Sequence, residues 1–315
     1  MNIRKIAIGL AALALTWHAA IASAQTRIVT LGTVGGPLLS LERGQPANAV
    51  VVKDRIYLVD AGNGIGRQLL AAGLDVRNID NIFITHNHDD HNADWGTIMG
   101  LAWSTGRRAD IHVWGPGGTE SMLQGYLQYF APNARIRMAD SKGLRKPEEM
   151  FRAHDIQGSG LVYKDALVTV TAQENCHFHP DPAGGARGED KSYAYRFQTP
   201  DKVVVFSGDT GKCEPMTEFA RGADILVHEV VDLPSIEKKL RQELPSLLAQ
   251  GLYQHMIQDH TTAEDVARLA QAAGVKEVVL THLIPGRGEP DSLFIDSARK
   301  FYQGPVRVAR DSMSY

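Results

Sequence analysis

Short apolar runs rich in Val, Ile and aromatic residues recur along the chain, separated by Gly, Pro, Asn and Asp. This pattern predicts β-strands, because β-branched and aromatic side chains suit a pleated, half-buried surface. The predicted strands are residues 27–31, 49–52, 56–59, 82–85, 111–114, 167–172, 193–197, 203–206, 225–228, 278–281 and 306–308.

Helical periodicity occupies several of the stretches between these strands, and hairpin-like strand pairs are frequent. Such pairs predict mixed sheets flanked by helices rather than a doubly wound parallel sheet, within the α/β class. Thr261 or Thr262 is the expected N-cap of the last helix. Residues 139–160 are polar and aperiodic, so we expect a surface excursion there that contains a short helix at 147–154. The other predicted helices are residues 66–72, 119–130, 235–250 and 262–273.

The N-terminal residues differ in composition from the rest of the chain. Arg4 and Lys5 precede an apolar run to about Ile21, and Ala22-Ser23-Ala24 follows as a small-x-small cleavage pattern. This order is typical of a secretory signal peptide, and the run is short for a membrane span. We therefore expect residues 1–24 to be removed, residues 25–315 to form one domain without a membrane anchor, and the protein to be periplasmic or secreted.

Charge and cysteine content narrow the function classes. The net charge is −3, and loss of Arg4 and Lys5 would make it −5. Nucleic-acid affinity comes largely from cationic contacts to phosphate, so this composition argues against a nucleic-acid partner. Export permits a disulfide between Cys176 and Cys213, but pairing depends on their proximity. The sequence leaves open whether these two cysteines form a disulfide or remain free thiols.

Four ligand-type side chains follow the predicted strand 82–85. They are His86, His88, Asp90 and His91. Alternation along extended chain places the first two imidazoles on one side. Imidazole and carboxylate groups suit zinc, and also iron or manganese. A polar loop rarely contains four such groups in six positions, so the cluster predicts a metal site.

Further candidate ligands follow other predicted strands. Asp209 follows strand 203–206, and its two carboxylate oxygens could bridge two metals. His282 follows strand 278–281 in the same way. His177 follows strand 167–172, where His179 competes with it as the third histidine ligand. We expect these side chains to gather with the first cluster at one edge of a sheet.

The ordered motifs resemble those of the metallo-β-lactamase fold superfamily, and the likeness runs from about Val29 to Leu283. The resemblance implies a four-layer αββα sandwich of two mixed sheets flanked by helices. It is carried by Leu58-Val59-Asp60-Ala61-Gly62, His86-Asn87-His88-Asp89-Asp90-His91, Phe206-Ser207-Gly208-Asp209-Thr210 and Thr281-His282-Leu283.

The resemblance also implies the role of each site residue. Two Zn²⁺ ions, with iron or manganese as alternatives, would share a bridging hydroxide that acts as the nucleophile. Asp209 would bridge them, and Asp60 would orient a ligating imidazole. The two ligand sets would be His86, His88 and His177 for one ion, and Asp90, His91 and His282 for the other.

Within this superfamily, the sequence is most similar to the ribonuclease Z and arylsulfatase branch. Leu31-Gly32-Thr33 and His260-Thr261-Thr262 match segments of that branch, and His228-Glu229-Val230 matches another in part. The implied catalytic residues are Asp90, His260 and Glu229, with His260 serving the leaving oxygen. His255 has no such context, and we expect it at the surface.

We expect a periplasmic hydrolase of small-molecule esters, of the aryl sulfate or phosphodiester type. Ribonuclease Z has a protruding basic arm for tRNA, and the sequence shows no equivalent, so no nucleic-acid partner is expected. A lactonase or β-lactamase is the alternative among enzymes, and an inactive metal-binding scaffold is the alternative outside them. A homodimer is compatible with the sequence.

Overall fold

A computed structural model gives the fold and describes residues 25–37, 39–178 and 190–315. The predicted signal peptide and His179 lie outside the described residues and stay predictions. Within the described part of the chain, no helix is both long and apolar enough to cross a membrane.

Among the described residues, two seven-stranded sheets pack face to face. Each is mixed, since β3 to β6 and β10 to β13 are parallel while the other neighbours are antiparallel. In spatial order the first sheet contains β14 (Met313–Ser314), β1 (Thr26–Gly32), β2 (Ala47–Val52), β3 (Arg55–Val59), β4 (Ile79–Phe83), β5 (Ile111–Gly115) and β6 (Phe151–Asp155). The second contains β13 (Val306–Val308), β12 (Glu277–Ile284), β11 (Ile225–Val231), β10 (Val203–Phe206), β9 (Tyr193–Gln198), β8 (Thr169–Glu174) and β7 (Gly160–Lys164).

Helices cover the outer face of each sheet. One apolar cluster packs α1, α3 and α4 on the first sheet, a second packs α6, α9 and α10 on the other, and a third fills the space between the sheets. This confirms the predicted αββα sandwich. The helices are α1 (Ile65–Ala71), α2 (Asp89–Asn92), α3 (Trp95–Ser104), α4 (Thr119–Asp140), α5 (Pro147–Met150), α6 (Glu214–Phe219), α7 (Leu233–Glu243), α8 (Ser246–Asp259), α9 (Ala263–Ala273) and α10 (Asp291–Ala298).

Three predicted helices are wrong in their extent, and the one predicted over 119–130 continues to Asp140. The helix predicted over 147–154 ends at Met150, and the following residues pair with β5 as the parallel strand β6. The helix predicted over 235–250 is two helices, because Pro245 lacks the N–H that a continuing helix needs and becomes the N-cap of α8. Of the two predicted N-caps of α9, Thr262 is the one that forms, accepting a hydrogen bond from the Asp265 amide.

The site is positioned by the sheets' parallel strands. Ligands in open α/β sheets bind beyond the carboxyl ends of such strands, where side chains from several strands converge. Asp60 follows β3, His86 follows β4 and Asp209 follows β10, while His282 lies near the end of β12. The fold therefore brings sequence-distant motifs to one edge, facing the junction of the two sheets.

Candidate metal centre

The first cluster joins three histidines from two segments. His86 and His88 follow β4, and His177 follows β8. His88 Nδ1 lies 3.0 Å from His86 Nε2 and 3.3 Å from His177 Nε2. Burial lowers the pKa of His177 to about 3, which keeps its ring neutral and able to coordinate a metal. These three side chains form a group spaced to hold a cation.

A second cluster lies beside the first. Asp90 and His91 come from α2, and His282 comes from β12. Asp90 Oδ2 lies 3.5 Å from Nε2 of both histidines. Asp209 stands between the two clusters, with Oδ2 at 3.0 Å from His282 Nε2, 3.3 Å from His91 Nε2 and 4.0 Å from His86 Nε2.

Neighbouring groups fix the orientation of the rings. Asp60 Oδ2 accepts a hydrogen bond from His91 Nδ1 at 2.8 Å, so Nε2 of that ring faces Asp209. Asp60 has φ 62°, a left-handed conformation that is costly for an aspartate and concentrates at functional sites. His177 donates Nδ1–H to the Asp259 carbonyl at 3.0 Å, which leaves its Nε2 for the first cluster.

The donor set fits divalent cations. His91 Nε2, both ring nitrogens of His282 and Asp209 Oδ1 are buried without a hydrogen-bond partner among the described residues. Burial opposes protonation of His282, but the Asp209 and Asp90 carboxylates outweigh it and raise its pKa to about 10. A field that favours positive charge this strongly would also favour a metal ion. His91 Nε2 and His282 Nε2 both face Asp209, and unsatisfied nitrogens that converge on a carboxylate in this way are typical of a metal ligand set.

Two of the predicted catalytic residues, His260 and Glu229, lie against this centre. His260 Nδ1 is 3.2 Å from Glu229 Oε2, and the two rings of His260 and His282 stack with centroids 5.8 Å apart. Glu229 Oε1 accepts hydrogen bonds from the Thr210 and Thr261 amides, each at 3.1 Å. Burial opposes protonation of His260, but the Glu229 carboxylate outweighs it and raises the pKa of His260.

The expectation that His255 is a surface residue is wrong, and the structure adds it to the site. Its side chain is 26% exposed, contacts the Asp259 carboxylate through Nδ1, and its ring centroid lies 5.4 Å from that of His260. The missed signal is helical spacing: residue 255 lies one turn before Asp259, which directly precedes His260.

A disulfide joins two of the segments that supply ligands. Cys176 precedes His177, Cys213 follows Asp209 in the loop to α6, and the two Cα atoms are 5.4 Å apart. The bond therefore links the segment that carries His177 to the segment that carries Asp209.

Comparisons with known proteins agree with the fold and the centre. The family model described as "Beta-lactamase superfamily domain" matches residues 55–283. Ribonuclease Z of Mycobacterium bovis is 27% identical over 90% of this chain and 95% of its own, and ribonuclease Z of Archaeoglobus fulgidus is 29% identical over 91% and 96%. Among solved structures, the metallo-β-lactamase fold protein YhfI from Bacillus subtilis superimposes with a TM-score of 0.66 at 17% identity, covering 92% of this chain and 99% of that one.

These relatives correct the predicted substrate. The expectation of a hydrolase of small-molecule esters with no nucleic-acid partner is wrong, because ribonucleases Z align over about nine-tenths of the chain. The periplasmic or secreted location stays a prediction. The error has a physical reason. Net charge averages the whole surface, whereas phosphate binding depends on the local field, which bound cations change at the site itself.

Proposed function

The chain belongs to the β-lactamase superfamily and is a metal-dependent hydrolase, and we propose that it cleaves phosphodiester bonds of RNA. The observation that carries the proposal is the alignment with ribonucleases Z over about nine-tenths of the chain. The buried cluster of imidazoles and carboxylates supports it, because phosphodiester hydrolysis needs cationic charge at the phosphate.

We further propose how the centre would be loaded. His86, His88 and His177 would hold one Zn²⁺, and Asp90 with His91 and His282 a second, with Asp209 shared between them. Bound zinc would act as a Lewis acid toward the phosphate and lower the pKa of water. The chain's own part is to keep each ring's free nitrogen directed inward, as Asp60 does for His91 and the Asp259 carbonyl does for His177.

His260 is the proposed proton donor to the leaving oxygen. Its Nδ1 is engaged by Glu229, so Nε2 is the nitrogen that can serve the substrate. Glu229 is itself held by the Thr210 and Thr261 amides. These contacts fix the tautomer and direction of the His260 ring, in the way that a carboxylate orients a general acid or base.

The test is cleavage of an end-labelled RNA hairpin with a single-stranded 3′ extension, compared with DNA of the same sequence. We expect the zinc-loaded protein to cleave the RNA and a chelator to abolish cleavage. Asp209→Ala should lower both bound zinc and turnover, whereas Asp140→Ala, an exposed acid at the end of α4, should change neither. Intact RNA with a fully loaded protein, or cleavage that persists without metal, would refute the proposal.

A further inference from the structure

Phe178 is an aromatic side chain at the metal centre that the proposed chemistry does not use. It directly follows His177 in the chain, and the residue is partly exposed to solvent. Its ring centroid lies 4.7 Å from that of His177, 5.4 Å from that of His88 and 5.7 Å from that of His86. Within the described part of the chain, it is the one Phe, Tyr or Trp whose ring packs against the proposed metal ligands.

The three histidine rings occupy one side of Phe178. The centroid of His86 lies 4.7 Å from that of His88 and 4.6 Å from that of His177, and the last two are 5.1 Å apart. Rings gathered this closely cannot surround Phe178, so its other side is directed away from them. His86 and His177 are buried, whereas His88 is exposed. Phe178 therefore lies at the solvent-facing side of the first cluster.

The segment that leads to Phe178 is fixed to the loop after β10. The Cys176–Cys213 disulfide joins the two segments. The Cys176 amide donates a hydrogen bond to the Thr210 hydroxyl at 3.1 Å, and its carbonyl accepts one from the Gly211 amide, also at 3.1 Å. A segment restrained in this way loses little conformational freedom when a ligand binds, so more of the contact energy contributes to affinity.

The chemistry of RNA indicates what such a ring would contact. Beside its phosphates and sugars, RNA offers one kind of flat, largely apolar group, the nucleobase. Aromatic side chains bind unstacked bases in this way, and the interaction tolerates different sequences because every base has a π-face. With a phosphate at the metal centre, the base of the adjoining nucleotide is only one sugar away. A ring that packs against the metal ligands themselves is within reach of that base.

We propose that Phe178 stacks on the nucleobase of a nucleotide next to the scissile phosphate and so favours single-stranded RNA over a duplex, in which the bases are already stacked and paired. This inference rests on the proposed cleavage of RNA and adds the part of the substrate that the chain recognises. The contact is with the base and not with the reacting phosphate. It therefore stabilises the bound substrate and the transition state alike, and its loss should raise KM while kcat stays nearly unchanged.

The test uses the zinc-loaded full-length protein and the RNA hairpin with a single-stranded 3′ extension. Once the cleavage site is mapped, each nucleotide that flanks it is replaced in turn by an abasic residue, which keeps the phosphates and removes the base. We expect KM to rise about 5- to 150-fold at one of these positions, the range for loss of one stacked base.

Variants of the chain assign the effect to Phe178. Phe178→Leu keeps an apolar side chain against the histidines but removes the flat ring. Its KM for intact RNA should rise in the same range, and removal of the base should then have no further effect. Phe178→Tyr should keep the native KM. Tyr129→Leu, which removes an exposed aromatic ring on α4, should leave both KM and kcat unchanged. Bound zinc should stay native in all three variants.

The results that would overturn the proposal are distinct. An abasic effect that persists in Phe178→Leu would place the base on another group. Zinc lost in step with activity would show that Phe178 only packs the metal ligands. Native protein that cleaves RNA without any abasic effect would refute this inference alone, whereas native protein that cleaves no RNA would refute the proposed function and this inference with it. Phe178→Met, which also lacks a ring, replaces Phe178→Leu if that variant does not fold.

Discussion

Replacing Glu229 by Gln keeps the shape of the side chain that contacts His260 but removes its negative charge. The Gln oxygen can keep both hydrogen bonds that Oε1 accepts from the Thr210 and Thr261 amides, each 3.1 Å long. The new NH₂ group then faces His260 Nδ1, 3.2 Å away in the native protein. Two donors cannot share a hydrogen bond, so the His260 ring must give up the hydrogen on Nδ1.

The size of the effect follows from this loss. Glu229 raises the pKa of His260 against the opposing effect of burial, so native His260 keeps its proton to higher pH than an ordinary histidine. The variant removes that support, and the pKa of His260 falls. Positioned general acids contribute about 10²- to 10⁴-fold to a reaction, and we expect Glu229→Gln to lose a turnover factor in that range. The alkaline limb of the pH profile should move to lower pH.

The assay measures RNA cleavage across pH together with bound zinc, for Glu229→Gln, His260→Ala and the double variant. Because Glu229 acts through His260, the double variant should be no slower than His260→Ala. Zinc content should stay native in all three. His154→Ala, a half-buried histidine on β6 outside the centre, serves as the control. Fully additive losses, or zinc lost in parallel with turnover, would show that Glu229 is structural and refute the reasoning.

Three further outcomes can be checked. Reduction of the Cys176–Cys213 disulfide, with a sequence separation of 37, should lower the free energy of unfolding by about 3–4 kcal/mol in urea titrations, and an unchanged midpoint would contradict this. Gly36→Ala should reduce zinc content, because its Cβ would lie 2.3 Å from the Asp90 carboxylate, whereas Gly125→Ala, with open space around it, should not. Asp165→Asn should destabilise the protein at neutral pH: burial opposes ionisation of Asp165, but hydrogen bonds from Tyr57 and two backbone amides outweigh it and lower its pKa. The ionised carboxylate stabilises the fold above the ordinary aspartate pKa. The difference in unfolding temperature between the native protein and Asp165→Asn should therefore shrink as the pH falls through the lowered pKa of Asp165. A difference that stays constant with pH would contradict this.

Local sequence patterns were sufficient to predict most of the strands in the two sheets. Every predicted strand overlaps an observed strand, because alternating or continuous apolar runs favour a pleated, buried surface. The cluster from His86 to His91 was visible for the same reason: its members are close in sequence, and their spacing alone places them together. The order of the motifs also led to the αββα sandwich, although through resemblance to a family rather than through geometry.

Contacts between residues far apart in sequence explain the features that local sequence patterns did not predict. Residues 151–155 form a strand only because β5 offers a parallel partner. His255 joins the site only because the end of α8 packs beside His177 and His260. Net charge misdirected the choice of substrate, since it averages over a surface on which the site is a small part. The sequence by itself determined most of the strands and the metal-binding residue types. Tertiary structure alone decided which distant groups meet, because proximity across the fold depends on packing between elements and not on the residues within each one.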